Sequence, residues 1–272
     1  MITSAWVGTS VGTEQGLRLA KEIGFDTVDV FADPMEIDAR ERRLIRKTLA
    51  SENLPVGSVV CCALGIADFN QPVRRFHNQR IKSYLDLGHE WEARNLLLVL
   101  GEYIWQQEVI APADQWKWAV EEVRDVAEYA DKMGLDIAIE IEPFHLSIVN
   151  TVAKMKQFLK DVDHPRALAN IDVSHLVLAH DPPEAIAELK GKIAHVHLSD
   201  CDGKKHGDLP PGRGCVDFRS YLQALKDAEF AGIVSLELEY SPEPDKIVDW
   251  VKEAYQATDS LMSELSIRDA RV

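Results

Sequence analysis

The stretch DIAIEIEP, residues 136–143, alternates isoleucine with other side chains and ends in two glutamates and a proline. This alternation is typical of a β-strand, in which successive side chains point to opposite faces. The three isoleucines would share one face, and Glu140 and Glu142 the other. An unpaired charge on the inner face of a sheet is costly, so we expect at least one of the two glutamates to be functional. Three later stretches have the same form: ALANIDVSH (167–175), IAHVHLSD (193–200) and IVSLELEY (233–240).

Strand-like runs occur eight times along the chain and alternate with segments of helical periodicity. The runs lie near 5–8, 27–32, 56–63, 95–100, 136–141, 168–172, 193–198 and 233–238. The helical segments span 14–23, 37–50, 73–93, 113–133, 152–162, 183–189, 217–228 and 244–265. No hairpin turn signal separates the runs, which predicts parallel pairing through helical crossovers.

This alternation in 272 residues predicts an α/β fold, a single (β/α)8 TIM barrel domain over residues 1–272. The alternative is an open, doubly wound sheet. Such a sheet serves its ligand from two or three strands. Here polar residues end four successive strands, which favours a closed ring.

The composition excludes several classes of partner. Forty-five acidic and 30 basic residues give a formal net charge of -15, which opposes non-specific binding to nucleic acid or to anionic membranes. No run approaches the apolar length of a membrane span, and the N-terminal residues lack the features of a signal peptide. The four cysteines form no CxxC pair, so we expect free thiols and a cytoplasmic location.

The last four strands each end at a side chain of a type that binds metal ions. These residues are Glu140, Asp172, His197 and Glu237. Three carboxylates and one imidazole suit one divalent cation, such as Mn²⁺, Mg²⁺, Co²⁺ or Zn²⁺. Each residue alone has an ordinary explanation; Asp172, for instance, could be a helix N-cap. Their order, one per strand, makes the metal site the stronger prediction.

Other polar and aromatic residues near these strand ends are candidates for substrate binding. The loop CDGKKHGDLPPGRGCVDF, residues 201–218, contains His206 and Arg213, and loops at this end of a barrel often bind polar or phosphate groups. His175 follows Asp172 by three residues. Trp105 follows the fourth predicted strand and could stack on a sugar ring. A surface turn, a surface imidazole and ordinary loop packing are the alternatives.

The sequence resembles the sugar phosphate isomerase/epimerase group of the xylose isomerase-like TIM barrels, which includes ketose 3-epimerases, hydroxypyruvate isomerases and inosose dehydratases. The resemblance covers essentially the whole chain and rests on motifs spaced as in the family: Gly134 to Glu140 with Pro143, Asp172-Val-Ser-His175, His195-Val-His197-Leu-Ser-Asp200, Gly232 to Glu237, and His206 through Gly212-Arg213-Gly214 to Asp217-Phe218. Two positions depart from the family: Asp29 stands where a glutamate is usual, and Glu142 is an additional acid beside Glu140.

The resemblance implies a metal-dependent isomerase or epimerase that moves a proton next to the carbonyl of a ketose or related keto-sugar through an enediolate. It implies that Glu140, Asp172, His197 and Glu237 bind the metal, preferably Mn²⁺. Glu140 and Glu237 would transfer the proton. It places His175, His206 and Arg213 near the substrate. Glu142 and Trp105 are further candidates for substrate contacts because of their places after the predicted strands. Enzymes of this kind often pair, so a homodimer or homotetramer is compatible with the chain.

Three alternatives remain at this stage. A lyase or dehydratase acting on a keto-sugar or keto-inositol would remove the same proton and then expel a β-substituent. An enzyme like endonuclease IV, which repairs DNA, needs three zinc ions and more histidine ligands, and the negative charge opposes DNA binding. The third is a catalytically inert barrel, but an intact set of four ligands argues against that interpretation.

Overall fold

The computed structural model describes residues 1–105, 109–239 and 241–268. Within them, seven parallel strands form one sheet in sequential order, and a helix or helical turn follows every strand. The strands are β1 Val28–Val30, β2 Val56–Ala63, β3 Asn95–Leu100, β4 Asp136–Glu140, β5 Ala167–Asp172, β6 Ile193–Leu198 and β7 Ile233–Leu236.

Eight α-helices surround this sheet in the described part of the chain. They are α1 Thr13–Ile23, α2 Ala39–Ser51, α3 Gln71–Glu90, α4 Pro112–Met133, α5 Val152–Val162, α6 Val173–Leu178, α7 Phe218–Asp227 and α8 Ile247–Glu264. Short 3-10 helices span Thr3–Trp6, Pro183–Leu189 and Pro244–Lys246. The predicted helix at 183–189 is thus a 3-10 helix, and α6 was not predicted because six residues carry too little periodicity.

The first two residues close the ring between β7 and β1. Ile2 N donates to Leu236 O at 3.0 Å, Asp29 N donates to Met1 O at 2.8 Å, and Ile2 pairs in parallel with Asp29. The TIM barrel prediction is therefore confirmed.

The predicted first strand at 5–8 is wrong. Its residues form part of the 3-10 helix Thr3–Trp6 and the turn after it. Trp6 is buried against α1, where a side chain at Gly16 would overlap its indole. Packing of this large side chain outside the ring explains why the strand pattern failed here.

Local sequence sets the ends of several helices. Gly24 and Gly134 end α1 and α4 in the left-handed conformation, at φ of 118° and 74°, which glycine adopts without steric cost. Asp38 and Thr151 cap the N-termini of α2 and α5 by accepting backbone N–H groups.

The strands present two faces with different chemistry. The outward side chains of β4, including Ile137 and Ile139, are fully buried in the main apolar core against the helices. Inside the ring, Ile2, Val60 and Leu97 form a small separate apolar cluster. Polar side chains at most 3% exposed share that interior: Asp29, Ser58, Asn95, Asn170, His195 and Ser235. The barrel interior below the strand ends is thus polar to an unusual degree.

Across residues 1–105, 109–239 and 241–268, helices that are both long and apolar enough to cross a membrane are absent.

Candidate metal centre and active site

Four side chains predicted from the strand ends meet at the carboxyl-terminal end of the barrel. Glu140 ends β4, Asp172 ends β5, His197 lies on β6, and Glu237 follows β7. Parallel pairing brings Asp172 beside His197, and Glu237 N donates to Leu198 O at 3.1 Å. One ligand atom from each of the four lies within 4.8 Å of those of the others. Since all four residues are buried, the cluster is a defined site rather than a solvated acidic patch.

The imidazole of His197 lies between the two glutamates. Its Nδ1 is 3.1 Å from Glu140 Oε1 and 2.9 Å from Glu237 Oε2. Glu140 is also held from β5, because Asn170 Nδ2 donates to its Oε1 at 2.9 Å. These contacts fix both carboxylates at one point in the barrel.

Asp172 combines the two roles that its sequence position allows. Its Oδ1 accepts from His175 N at 3.0 Å and from Ser174 Oγ at 2.8 Å, and so caps helix α6. Its Oδ2 is buried and accepts no hydrogen bond in the described part of the chain. A free oxygen at this place is what a metal ligand requires. The helix-cap explanation and the ligand prediction are therefore compatible.

The electrostatics of the cluster favour a bound cation. Burial, and then the charge of Asp172, raises the pKa of Glu140 well above its usual value. Burial and the charges of Glu140, Asp208 and Asp172 do the same to the pKa of Glu237. Burial also raises the pKa of Asp172, but His175 and His197 outweigh it, so that this pKa is lowered. A divalent cation would offset the repulsion among these acids, and the donor set fits one.

His175 and His206 form a pair beside the cluster. His175 Nδ1 donates to Ile141 O at 2.8 Å, and its Nε2 lies 2.7 Å from His206 Nε2 and 3.9 Å from Asp172 Oδ2. Burial is the main cause that lowers the pKa of His175 to about 4, so this ring is neutral at neutral pH. His206 therefore donates through Nε2, and its partly exposed ring lies at the mouth of the site.

Glu142 and Trp105 lie nearer the opening. Glu142 comes just after β4, and burial followed by the charge of Glu140 raises its pKa to about 9. It is outside the four-residue cluster, whose β4 member is Glu140. Trp105 follows β3, is 59% exposed and packs its ring 5.6 Å from that of Phe69. Neither residue belongs to the four-residue cluster.

Arg213 is the one predicted site residue that the structure directs elsewhere. Its guanidinium forms two hydrogen bonds to Glu253 of α8, at 2.8 and 2.6 Å, and lies over the ring of Trp250. The backbone of its loop is organised by Asp200, the last residue of the His195 to Asp200 motif. The Asp200 carboxylate accepts four backbone N–H groups, from Cys201, Gly212, Gly214 and Val216.

Three polar residues at the site were not predicted. Asn170 holds Glu140, and its signal was available, because it shares the inner face of β5 with Asp172. Asp208 is buried and lies 3.5 Å from His206 Nε2, but it is in an irregular loop whose sequence carries no such signal. Asp29, inside the barrel on β1, lies 3.0 Å from His195 Nε2. The sequence signal for Asp29 was its replacement of the glutamate that is usual in the family.

Comparisons with known proteins agree with this geometry. The family model "Xylose isomerase-like TIM barrel" matches residues 17–260. The D-psicose 3-epimerase of Ruminiclostridium cellulolyticum is 30% identical over 124 residues, which cover 45% of this chain and only 41% of that protein. The fructoselysine 3-epimerase of Escherichia coli O157:H7 is 23% identical over 242 residues, covering 83% of this chain and 85% of that protein.

A solved structure of the IOLI protein with a binding zinc atom superposes with a TM-score of 0.85. It is 18% identical, and the match covers 97% of each chain. The expectation of a sugar epimerase or isomerase agrees with the activities in the names of the two sequence relatives. The chain belongs to the family of xylose isomerase-like TIM barrels.

Proposed function

We propose that this protein is a divalent-metal-dependent epimerase or isomerase of a ketose or related keto-sugar. The observation that carries the proposal is the convergence of Glu140 and Glu237 on one buried point, each within 3.1 Å of His197 Nδ1. The two carboxylates come from β4 and β7, which β5 and β6 separate in the sheet. They therefore reach a substrate from different sides of the barrel.

Two such carboxylates suit the transfer of a proton at a carbon beside a carbonyl. One removes the C–H proton and leaves an enediolate; the other delivers a proton to the opposite face of the same carbon, which inverts it. Delivery to the former carbonyl carbon gives the isomer instead. Without a cation, burial and neighbouring acids raise the pKa of both glutamates. Acid–base catalysis of this kind needs groups that can gain and lose a proton near the working pH.

The donor set supports Mn²⁺ as the preferred ion. Carboxylates suit Mg²⁺ and Mn²⁺, and the imidazole of His197 extends the range to Zn²⁺ and Co²⁺. A cation bound by Glu140, Asp172, His197 and Glu237 would supply a Lewis acid to the substrate carbonyl.

His206 and Trp105 are the proposed contacts for the remainder of the substrate. His206 is held by the neutral Nε2 of His175 and so presents a fixed ring at the mouth of the site. Trp105, with Phe69, offers an exposed aromatic face, on which the C–H groups of a sugar can pack. We propose a small ketose as the substrate.

We also propose that residues 1–272 form one domain. A cytoplasmic location is proposed as well, and the four free cysteines support it. The homodimer or homotetramer stays a prediction.

The test is proton NMR in D₂O of the Mn²⁺-loaded protein with ketoses, hydroxypyruvate and keto-inositols. We expect deuterium to enter next to the carbonyl of one compound while a new isomer accumulates. Exchange with loss of water or of an aglycone would replace this proposal with the lyase. Absence of exchange from every compound, with metal bound, would contradict proton abstraction from these substrates.

A further inference from the structure

A buried polar group lies beneath His197, on the side away from the two glutamates. His197 Nδ1 faces the candidate metal site, and its Nε2 faces Asp29 of β1, with 3.9 Å between Nε2 and Asp29 Oδ2. The same Asp29 oxygen lies 3.0 Å from His195 Nε2. The side chains of all three residues are fully buried. One carboxylate therefore faces the Nε2 atoms of both histidines of β6.

The hydrogen-bond partners define the protonation of His195. Asn95 Nδ2, which can only donate, lies 3.3 Å from His195 Nδ1. The Nδ1 atom must then accept, and the ring proton is on Nε2, where it is donated to Asp29. A neutral imidazole carries its proton on one nitrogen and accepts at the other, so the contacts of one ring nitrogen determine the other.

The same reasoning applies to His197. A metal ligand must offer the lone pair of Nδ1, which places the proton on Nε2. That nitrogen has no hydrogen-bond partner among the described residues, and Asp29 Oδ1 likewise has none. The other oxygen of Asp29 lies 3.9 Å from this nitrogen, just beyond hydrogen-bond distance. A small closure of this gap would complete the pair.

The barrel interior has space for the Asp29 carboxylate because position 57 is a glycine. Gly57 of β2 faces it, and a Cβ at that position would come within 2.6 Å of Asp29 Oδ1. The space for the acid therefore depends on the absence of a side chain on the neighbouring strand.

We propose that Asp29 is a positioning residue of the metal site. With the cation bound, it accepts N–H groups from His195 and His197, keeps the proton of His197 on Nε2, and so directs the Nδ1 lone pair toward the cation. His195, fixed by Asn95, keeps Asp29 in place. This inference rests on the proposed metal site. Mutation of a residue that hydrogen-bonds a metal ligand typically weakens metal affinity by about 10- to 100-fold.

The first test measures Mn²⁺ affinity by calorimetry, without substrate. We expect Asp29→Asn to bind Mn²⁺ about 10- to 100-fold more weakly than the unmodified protein. The matched control is Ser58→Ala, which alters another buried side chain of the barrel interior and should bind normally. Normal Mn²⁺ affinity in Asp29→Asn, whatever its melting temperature, would overturn the proposal and leave Asp29 a purely structural role.

The second test needs no variant at position 29. The ¹⁵N spectra of the metal-free and the Zn²⁺-loaded protein with labelled histidine report which ring nitrogen carries the proton or the ion, and His197→Gln identifies the signals of His197. We expect His195 in the Nε2–H form in both states, and His197 in the Nε2–H form with Zn²⁺ on Nδ1 once the ion is bound. Zn²⁺ on Nε2 of His197, with the proton on Nδ1, would overturn the proposal even if Asp29→Asn fails to fold. Failure of the unmodified protein to bind Mn²⁺ would instead count against the proposed function.

Discussion

The two halves of the barrel end in different chemistry. Strands β4 to β7 each carry an acid or an imidazole at or next to their last residue, and these side chains meet in one buried cluster. Strands β1 to β3 end in Val30, Ala63 and Leu100, and the segments after them expose large apolar side chains: Phe31, Leu64, Phe69 and Trp105. Under the proposed function, the exposed apolar side chains of the first half would contact the substrate and the clustered side chains of the second half would react with it. If this division holds, changes to the four clustered side chains should abolish turnover, and changes to the exposed apolar side chains of the first half should alter substrate affinity.

The largest effect should come from removal of the metal. Dialysis against a chelator should abolish deuterium exchange, and added Mn²⁺ should restore it. Bound at about 100 times its Kd, a cation adds about 2.7 kcal/mol to the free energy of unfolding. The metal-free protein should therefore melt about 5–10 °C lower by calorimetry. If elemental analysis shows the protein to be metal-free and exchange activity is still full, the proposed role of the four clustered side chains in metal-dependent catalysis is contradicted.

Next in size are the two glutamates. Glu140→Gln and Glu237→Gln should each lower kcat by about 10³- to 10⁴-fold, since each removes a proton-transfer group and a metal ligand. The control Glu253→Gln alters a glutamate of α8 that pairs with Arg213, and it should stay within about twofold of the unmodified rate. Near-normal turnover by both site variants would rule out their proposed roles.

A smaller and different effect is expected from the first half. Trp105→Ala should raise KM about tenfold, equal to about 1.4 kcal/mol of binding, and leave kcat within about twofold. Trp105→Phe should recover most of the affinity, because it restores an aromatic face. Steady-state kinetics with the substrate found by NMR would measure both values. A fall in kcat as large as that of the glutamate variants would show that Trp105 acts in catalysis and not in substrate binding alone.

The smallest effect should come from Arg213. Its ion pair with Glu253 is at the surface, with side chains 36% and 43% exposed. Arg213→Gln should lower the free energy of unfolding by less than about 1 kcal/mol in urea, with kcat/KM unchanged. A tenfold loss of kcat/KM would indicate that Arg213 contacts the substrate and that its loop rearranges when the substrate binds.

The same comparison shows what the sequence could predict. Period-two alternation in DIAIEIEP indicated that Glu140 points inward and the isoleucines outward, because the strand geometry requires it. The convergence of Glu140, Asp172, His197 and Glu237 was predictable for the same reason. The first strand was not, since burial of Trp6 against α1 is a tertiary effect that competes with local pattern.

Loops were predicted least well. The orientation of Arg213 depends on Asp200, whose four backbone contacts are invisible in residue spacing. The buried acid Asp29 lies far along the chain from His195, the group that it faces. Local periodicity carries no information on such contacts.

The loop around Asp200 has a consequence for redesign of this enzyme. A side chain at Gly214 would overlap the carbonyl oxygen of Cys201 and the carboxylate of Asp200. A mutant library meant to change substrate preference should therefore leave Asp200 and Gly214 untouched, since most variants there would lose the loop itself. Diversity is better introduced at Leu64 and Trp105, whose side chains are 61% and 59% exposed.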